Sequence, residues 1–299
     1  MGKPGLTLHR LDLFLAVLEA GAVGRAARAR HLSQPAVSEH LRGLGAYFGV
    51  ALFERVGRGI RPTPAARLLE PFVRQVVGLL QRAVETAAGL RGLNAGTLAV
   101  GASTTPGTYL LPRVLGRFHA AHPGIALRLR IGDTREIERW VASGEVELGV
   151  IGEAPLEAGL TADQWVKDEL VAIVARGHPL ARRRAVSAGA LFAHPYIARE
   201  EGSSTRGVAE RYLAALGVSV RPAMELGGTE AIREAVAAGL GVAIMSRHAV
   251  PASDRRVVVV RLGGGGKRWL RDLLVVRRAQ TPLSPAATRL RELLLERGA

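Results

Sequence analysis

One stretch, ARARHLSQPAVSEHLRGLGAYFG from Ala27 to Gly49, restricts the fold more than any other. Ser33 stands where a side-chain oxygen accepts an N–H bond at a helix start, and Pro35 in the first turn forfeits no hydrogen bond it would have made. Beyond them Val37, Leu41 and Leu44 recur at spacings of four and three. At about 100° per residue the opposite side carries Pro35, Glu39, Arg42 and Ala46, flanked by Ala36 and Ser38. The helix therefore packs one face and presents the other. Two helices precede it. From a capping Thr7, Leu11, Phe14, Leu15 and Leu18 repeat at helical spacing up to Gly21. Val23 to Arg30 then forms a short helix, with Ala26 and Ala27 small enough for close packing.

That is a helix-turn-helix outline, and a helix presented in this way enters the major groove of double-stranded DNA with its N-terminal residues against base edges. The candidate DNA contacts are Ser33, Gln34, Pro35, Ala36, Ser38, Glu39 and Arg42. Gln34 suits adenine, Ala36 a thymine methyl, Ser38 a phosphate or base, and Arg42 a phosphate or guanine. A three-helix packing unit with a wetted face satisfies the same pattern equally well. The next segment, LFERVGRGIRPTP, adds Arg55, Arg58 and Arg61 around Gly57 and Gly59, which reads as a short two-stranded wing with Leu52 and Phe53 facing the core. Its guanidinium groups would lie where backbone phosphates run, although a solvated charge cluster has the same composition.

Composition narrows the classes. Lys and Arg number 41 against 26 Asp and Glu, a net charge of +15 that attracts polyanions at long range, though a genome-wide preference for Arg produces the same excess. No cysteine is present, which excludes disulfides, thiolate metal sites and thiol catalysis. His119 and His122 form the only close histidine pair and sit at a helix end before Pro123, so no metal is expected, and no cofactor. Neither a signal-peptide core nor an apolar run of membrane-spanning length is seen, which makes the expected location cytoplasmic.

From Thr63 and Pro64 a helical pattern runs to Arg91, about 40 Å at 1.5 Å per residue. Ala65, Leu69, Phe72, Val76, Leu79, Ala83, Thr86 and Leu90 alternate in steps of four and three, a seam for pairing with another helix. Leu68, Val73, Val77, Leu80 and Val84 widen the apolar face toward the preceding domain, and Pro71 removes one backbone bond. GLRGLNAG behind it reads as a linker, with a hinge at 92–96.

Beyond the linker, TLAVGA, IALRLRIG, LGVIG, ELVAIVA, PYIAR, AMELG and VAIMS are strand candidates alternating with helical patterns, an α/β domain. Ligands in such sheets sit off the carboxyl ends of strands, against helix N-termini. Three such ends are rich in hydroxyls: Ser103, Thr104 and Thr105; Ser203, Ser204 and Thr205 with the cation Arg206; and Thr229. Each is a plausible helix cap, but three together suit a small anion better than three coincidental caps. The GGGG run at Gly263–Gly266 is a turn rather than a phosphate loop, since no helix with Lys and Ser or Thr follows.

RAARARHLSQPAVSEHLRGL followed by GVALFERVGRGIRPTPAA resembles the winged helix-turn-helix of LysR-type transcriptional regulators. Fifteen positions carry it in order: Ala26, Ala27, Leu32, Ser33, Gln34, Pro35, Ala36, Val37, Ser38, Leu44, Gly49, Leu52, Phe53, Arg55 and Thr63. Three positions depart from the family pattern. Ala22 replaces a Ser cap, Gly45 a Glu and Ala66 a Gly, and the first two cost about 1 kcal/mol each. GASTTPGTYLLPRVLGRFHAAHPGI, SGEVELGVI and GGTEAIREAVAAGLGVAIMSRHAV are similar to the effector domain of the same family, closest in look to its sulfur-assimilation and carbon-dioxide-fixation branches.

The resemblance implies a two-lobed, periplasmic-binding-protein-like α/β effector domain, dimerisation through the long helix with assembly to a tetramer, and Thr134 as a further cleft residue. It implies domains at 1–63 (DNA binding), 64–91 (linker helix) and 97–299 (effector), with lobe one at 97–168 plus 267–299 and lobe two at 169–266. The function expected is a ligand-responsive DNA-binding regulator sensing an anionic sulfur species or a phosphorylated metabolite. A solute-binding receptor with a helical dimerisation module is the alternative. An enzyme is disfavoured, because no G-x-S-x-G elbow, P-loop or metal-ligand spacing occurs.

Overall fold

The computed structural model describes residues 5–57, 59–89, 96–263 and 268–296, and the chain divides into two compact units, Met1–Val84 with Ser143–Glu145, and the remainder. In the first unit, α1 (Leu8–Ala20) starts at Thr7, whose Oγ1 accepts from the Arg10 N–H, and stops at Gly21 with φ of +62°. The next helix, α2 (Val23–Ala29), has no side-chain cap at Ala22, where a Ser is missing. Ser33 Oγ accepts from the Ala36 N–H at 3.3 Å and opens α3 (Gln34–Phe48). Strands β1 (Phe53–Val56) and β2 (Gly59–Pro62) pair antiparallel as the wing. Thr63 then caps α4 (Pro64–Gly89) through the Ala66 N–H at 3.2 Å. Phe14, Val17, Ala27, Val37, Leu44 and Leu52 form the core between these elements.

Two family departures have a structural reason. Ala66 is fully buried in that core, so its methyl fills space a glycine would leave. Gly45 lies where the chain doubles back after α3: Val50 donates to the Gly45 carbonyl at 3.0 Å, and a Cβ at 45 would stand 2.8 Å from the Val50 carbonyl oxygen. The close approach requires glycine, which corrects the expectation that Gly45 merely weakens the helix.

The apolar surface of α4 divides differently from the expected seam. Leu69, Val73 and Val77 pack on the core, whereas Leu68 and Phe72 are 73% and 66% exposed, and Val76, Leu79, Leu80 and Val84 are exposed as well. Leu69 thus faces inward, and Leu68, Leu80 and Val84 join the outward stripe. The helix passes through Pro71 without ending. Leu90, Arg91 and all of the 92–96 hinge except Gly96 lie outside the described residues.

The second unit is a ten-stranded mixed sheet with helices on both faces. Strands β3 (Gly96–Ser103), β4 (Ile125–Gly132) and β5 (Leu148–Ile151) are parallel, joined by α5 (Leu111–Ala121) and α6 (Thr134–Ser143). The long β6 (Leu160–Ala175) follows, then β7 (Ala185–Val186), α7 (Ala188–Phe192), β8 (Tyr196–Arg199), α8 (Ser204–Ala215), β9 (Met224–Leu226), α9 (Thr229–Ala237), β10 (Val242–Ser246), β11 (Val257–Leu262), β12 (Trp269–Arg278) and α10 (Pro285–Leu295). At about 3.3 Å per residue β6 is roughly 50 Å long, and it pairs with β12 along most of its length and with β10 and β11 at its far end.

It therefore serves two hydrophobic cores. Trp165 packs with Leu98, Leu111, Phe118 and Leu290, whereas Leu170, Ala172 and Val174 pack with Val208, Leu213 and Ile244. Two lobes result, joined by β6 and β12. Both joining strands extend the sequence reading: β6 begins nine residues before ELVAIVA, and β11 and β12 were not among the strand candidates. His119 lies in the last turn of α5, and His122, its C-cap, packs its ring against Phe118 at 4.9 Å. None of the described helices is long and apolar enough to cross a membrane.

Candidate functional site

In the first unit, Ser33, Gln34, Pro35, Glu39 and Arg42 are exposed on α3, with Ala36 and Ser38 half-buried beside them. Ser33 spends its oxygen on the cap. Gln34 folds back over α2, so that a Cβ at Gly24 would be 2.8 Å from its Nε2, and reaching a base requires its amide to swing outward. A groove of about 520 Å³ runs between α3 and the wing, lined by Ser38, Arg42, Ala46 and Arg55. Of the three wing arginines, Arg55 lines this groove and Arg58 lies outside the described residues. Arg61 donates across the wing to Glu54 at 2.8–2.9 Å, so its charge is already paired and the expected trio of available cations is reduced. The pair is exposed on both sides and costs little to surrender.

In the second unit, a cavity of about 340 Å³ opens at the carboxyl ends of β3, β4 and β8, between the lobes. Ser103, Thr104, Thr105, Thr134, Ser203, Ser204 and Thr205 all line it. Thr134 Oγ1 is buried with no hydrogen-bond partner among the described residues. Two expected cleft residues do not line it. Arg206 turns outward to Glu210 at 2.8 Å, Glu225 at 2.7 Å and the Arg199 carbonyl at 3.0 Å, because two carboxylates on the lobe surface outcompete an open cleft. Thr229 is buried behind the wall, where its Oγ1 accepts from Arg199 Nη1 at 3.2 Å.

Charged residues that sequence reasoning missed complete the lining. Arg199 forms a bidentate pair with Glu200 at 2.6–2.7 Å. Burial pushes the Glu200 carboxyl upward, but hydrogen bonds from Arg199 and from the Gly228 N–H outweigh it and leave the carboxyl below its ordinary range. Asp133 and Glu136 cap α6 reciprocally, with N–H to carboxylate distances of 2.7 and 2.9 Å. Glu201 adds another carboxylate. Arg271 on β12 faces Asp168 on β6 directly across the strand pair, at 2.8 Å, with Asp168 fully buried. Desolvation lowers the pKa of Arg271, opposed by Asp168. The sequence held one usable sign of this pair: Trp269, Arg271 and Leu273 occupy alternate, inward positions of a strand, which puts a cation on the buried face.

A mixed sheet of two lobes with a hydroxyl-lined cleft, carried together with a winged helix-turn-helix, defines a DNA-binding domain fused to a ligand-binding domain. The chain belongs to the LysR family of bacterial transcriptional regulators: residues 8–67 match the bacterial regulatory helix-turn-helix protein of the lysR family, and residues 91–299 the LysR substrate binding domain. It is 34% identical over 296 residues to a RuBisCO operon transcriptional regulator of Allochromatium vinosum, covering 98% of this chain and 97% of that protein. Among solved structures, the CcmR regulatory domain of Synechocystis PCC6803 in complex with 2-PG is 29% identical with a TM-score of 0.62, covering 68% of this chain and 99% of that one. Full-length CbnR complexed with its target DNA has a TM-score of 0.73 at 22% identity, covering 97% and 99%, a likeness of fold. A receptor with a helical dimerisation module does not account for the match over 8–67.

Proposed function

We propose that this regulator reads DNA through the exposed face of α3 and the wing, pairs with a second copy through α4, and senses a small anion in the cleft, working in the cytoplasm as a dimer or tetramer. The assignment takes 1–63 as the DNA-binding domain, 64–91 as the linker helix, 92–96 as a hinge and 97–299 as the effector domain. Its lobes are 97–168 plus 267–299, and 169–266, in support of which Trp165 and Leu170 pack into different cores. The observation that carries the sensing role is the convergence of seven Ser and Thr residues from both lobes on one cavity. Relatives named for the RuBisCO operon, and the CcmR domain solved with 2-PG, favour a phosphorylated metabolite over an anionic sulfur species.

The test is a titration of 2-PG into the full chain by calorimetry, with Thr104→Ala alongside. Binding weakened about tenfold in the variant is expected, as for loss of one hydrogen bond to a charged group. No binding of 2-PG, inorganic phosphate or sulfate by the wild-type chain would sink the anion reading.

A further inference from the structure

Each hydroxyl carries one donor and two acceptor lone pairs, so nothing intrinsic decides which it offers a ligand. At the floor of the cleft Arg271 decides it. Its Nη2 donates to Thr105 Oγ1 at 3.2 Å and its Nη1 to Ser204 Oγ at 2.9 Å. Each oxygen thus spends a lone pair on the guanidinium and keeps its own proton, for which no acceptor is found among the described residues. Thr105 follows β3 in one lobe and Ser204 opens α8 in the other, so the two protons belong to opposite lobes, and both residues line the cavity.

The guanidinium is held in place from behind. Asp168 Oδ2 accepts from Nε at 2.8 Å and lies 2.8 Å from Nη2 in the ion pair, and Ser246 Oγ donates to Asp168 Oδ1 at 2.6 Å. Gly152 leaves the room: a Cβ there would run into Ser204 Oγ and Arg271 Nη1. Buried hydrogen-bond networks of this kind rigidify the groups at their ends.

The geometry points to an oxyanion subsite between the lobes, in which Arg271 is a positioning residue that makes Thr105 and Ser204 fixed donors to one negatively charged ligand oxygen. The inference rests on the anion-sensing reading and adds where the charge is read. It also explains how a cleft lined by Asp133, Glu136, Glu200 and Glu201 admits an anion. Arg199 spends its charge on Glu200, whereas the Thr105–Ser204 end carries no carboxylate of its own and offers two hydroxyl protons. The ligand class is a small phosphorylated or carboxylic acid that enters charged end first and offers hydroxyl or other donor groups to the carboxylates.

A double-mutant cycle in the full chain tests this, with 2-PG and inorganic phosphate as probes in calorimetry. Thr105→Val should weaken 2-PG binding about tenfold in the wild-type background. In an Asp168→Asn/Arg271→Met background, which removes both buried charges together, it should weaken binding less than threefold, because the hydroxyl is no longer oriented. An equal loss in both backgrounds overturns the positioning role. If the double variant does not fold by circular dichroism, Arg271→Lys carries the same cycle, since an ammonium facing Asp168 cannot also donate to both hydroxyls. Failure of the wild-type chain to bind either anion overturns the sensing reading, whereas binding without coupling overturns only the role of Arg271.

Discussion

At Gly45 two rules oppose each other. Helix propensity favours alanine there by about 1 kcal/mol, yet the Cβ would stand 2.8 Å from a backbone oxygen that cannot swing aside. Crowding of this kind costs about 1–3 kcal/mol, so Gly45→Ala should lower stability in urea unfolding, and a gain of about 1 kcal/mol would show that the chain end relaxes freely. Glu200 gives a prediction in pH. Its folded pKa is depressed, so the stability it contributes is present above its unfolded value of 4.5 and is lost as pH falls through the folded value. Glu200→Gln should therefore flatten the acid limb of the melting temperature below pH 4.5; an acid limb identical to wild type contradicts the Arg199 pairing. What the sequence disclosed at this scale was local chemistry. Ser33 and Thr63 cap their helices as expected because a cap and its partner lie three residues apart. Asp168 and Arg271 are separated by 103 residues, and only the fold makes them neighbours.

Among the elements, α3 was legible at its start and along its buried face because its stripe, cap and proline agree. The second half of β6 was legible as an apolar run, whereas its first half alternates polar and half-buried residues and carries no run to detect. In α4 the helix was clear but the division of its apolar surface was not, since Leu68, Leu69, Phe72 and Val73 are adjacent apolar pairs and only packing decides which of each pair faces the core. The outward stripe bears on assembly. Phe72→Glu with Leu79→Glu should lower self-association tenfold or more in sedimentation while leaving the helical content unchanged, because both side chains are more than half exposed in the single chain. An unchanged mass would remove this face of α4 from the interface.

The whole molecule couples two units that sequence patterns described unequally. The helices and the wing of the first unit were readable as elements, because their caps, stripes and turn glycines lie along short stretches of chain. The cleft was readable as hydroxyls at strand ends, but not in its charges: two of the expected residues, Arg206 and Thr229, lie off it, whereas Arg199, Glu200 and Arg271 line it. A cleft between lobes joined by β6 and β12 shifts population when a ligand favours one relative orientation, and coupling between two sites amounts to about 1–3 kcal/mol, or 5–150-fold. The most direct measurement of that claim is fluorescence anisotropy of the full chain on the duplex immediately upstream of its own coding region, titrated with 2-PG at fixed salt. The upstream duplex should bind about a thousandfold or more tighter than a scrambled one, with 2-PG changing that affinity at least fivefold. Equal affinity for both duplexes, or an affinity indifferent to 2-PG and to inorganic phosphate, would contradict a ligand-responsive regulator of this kind.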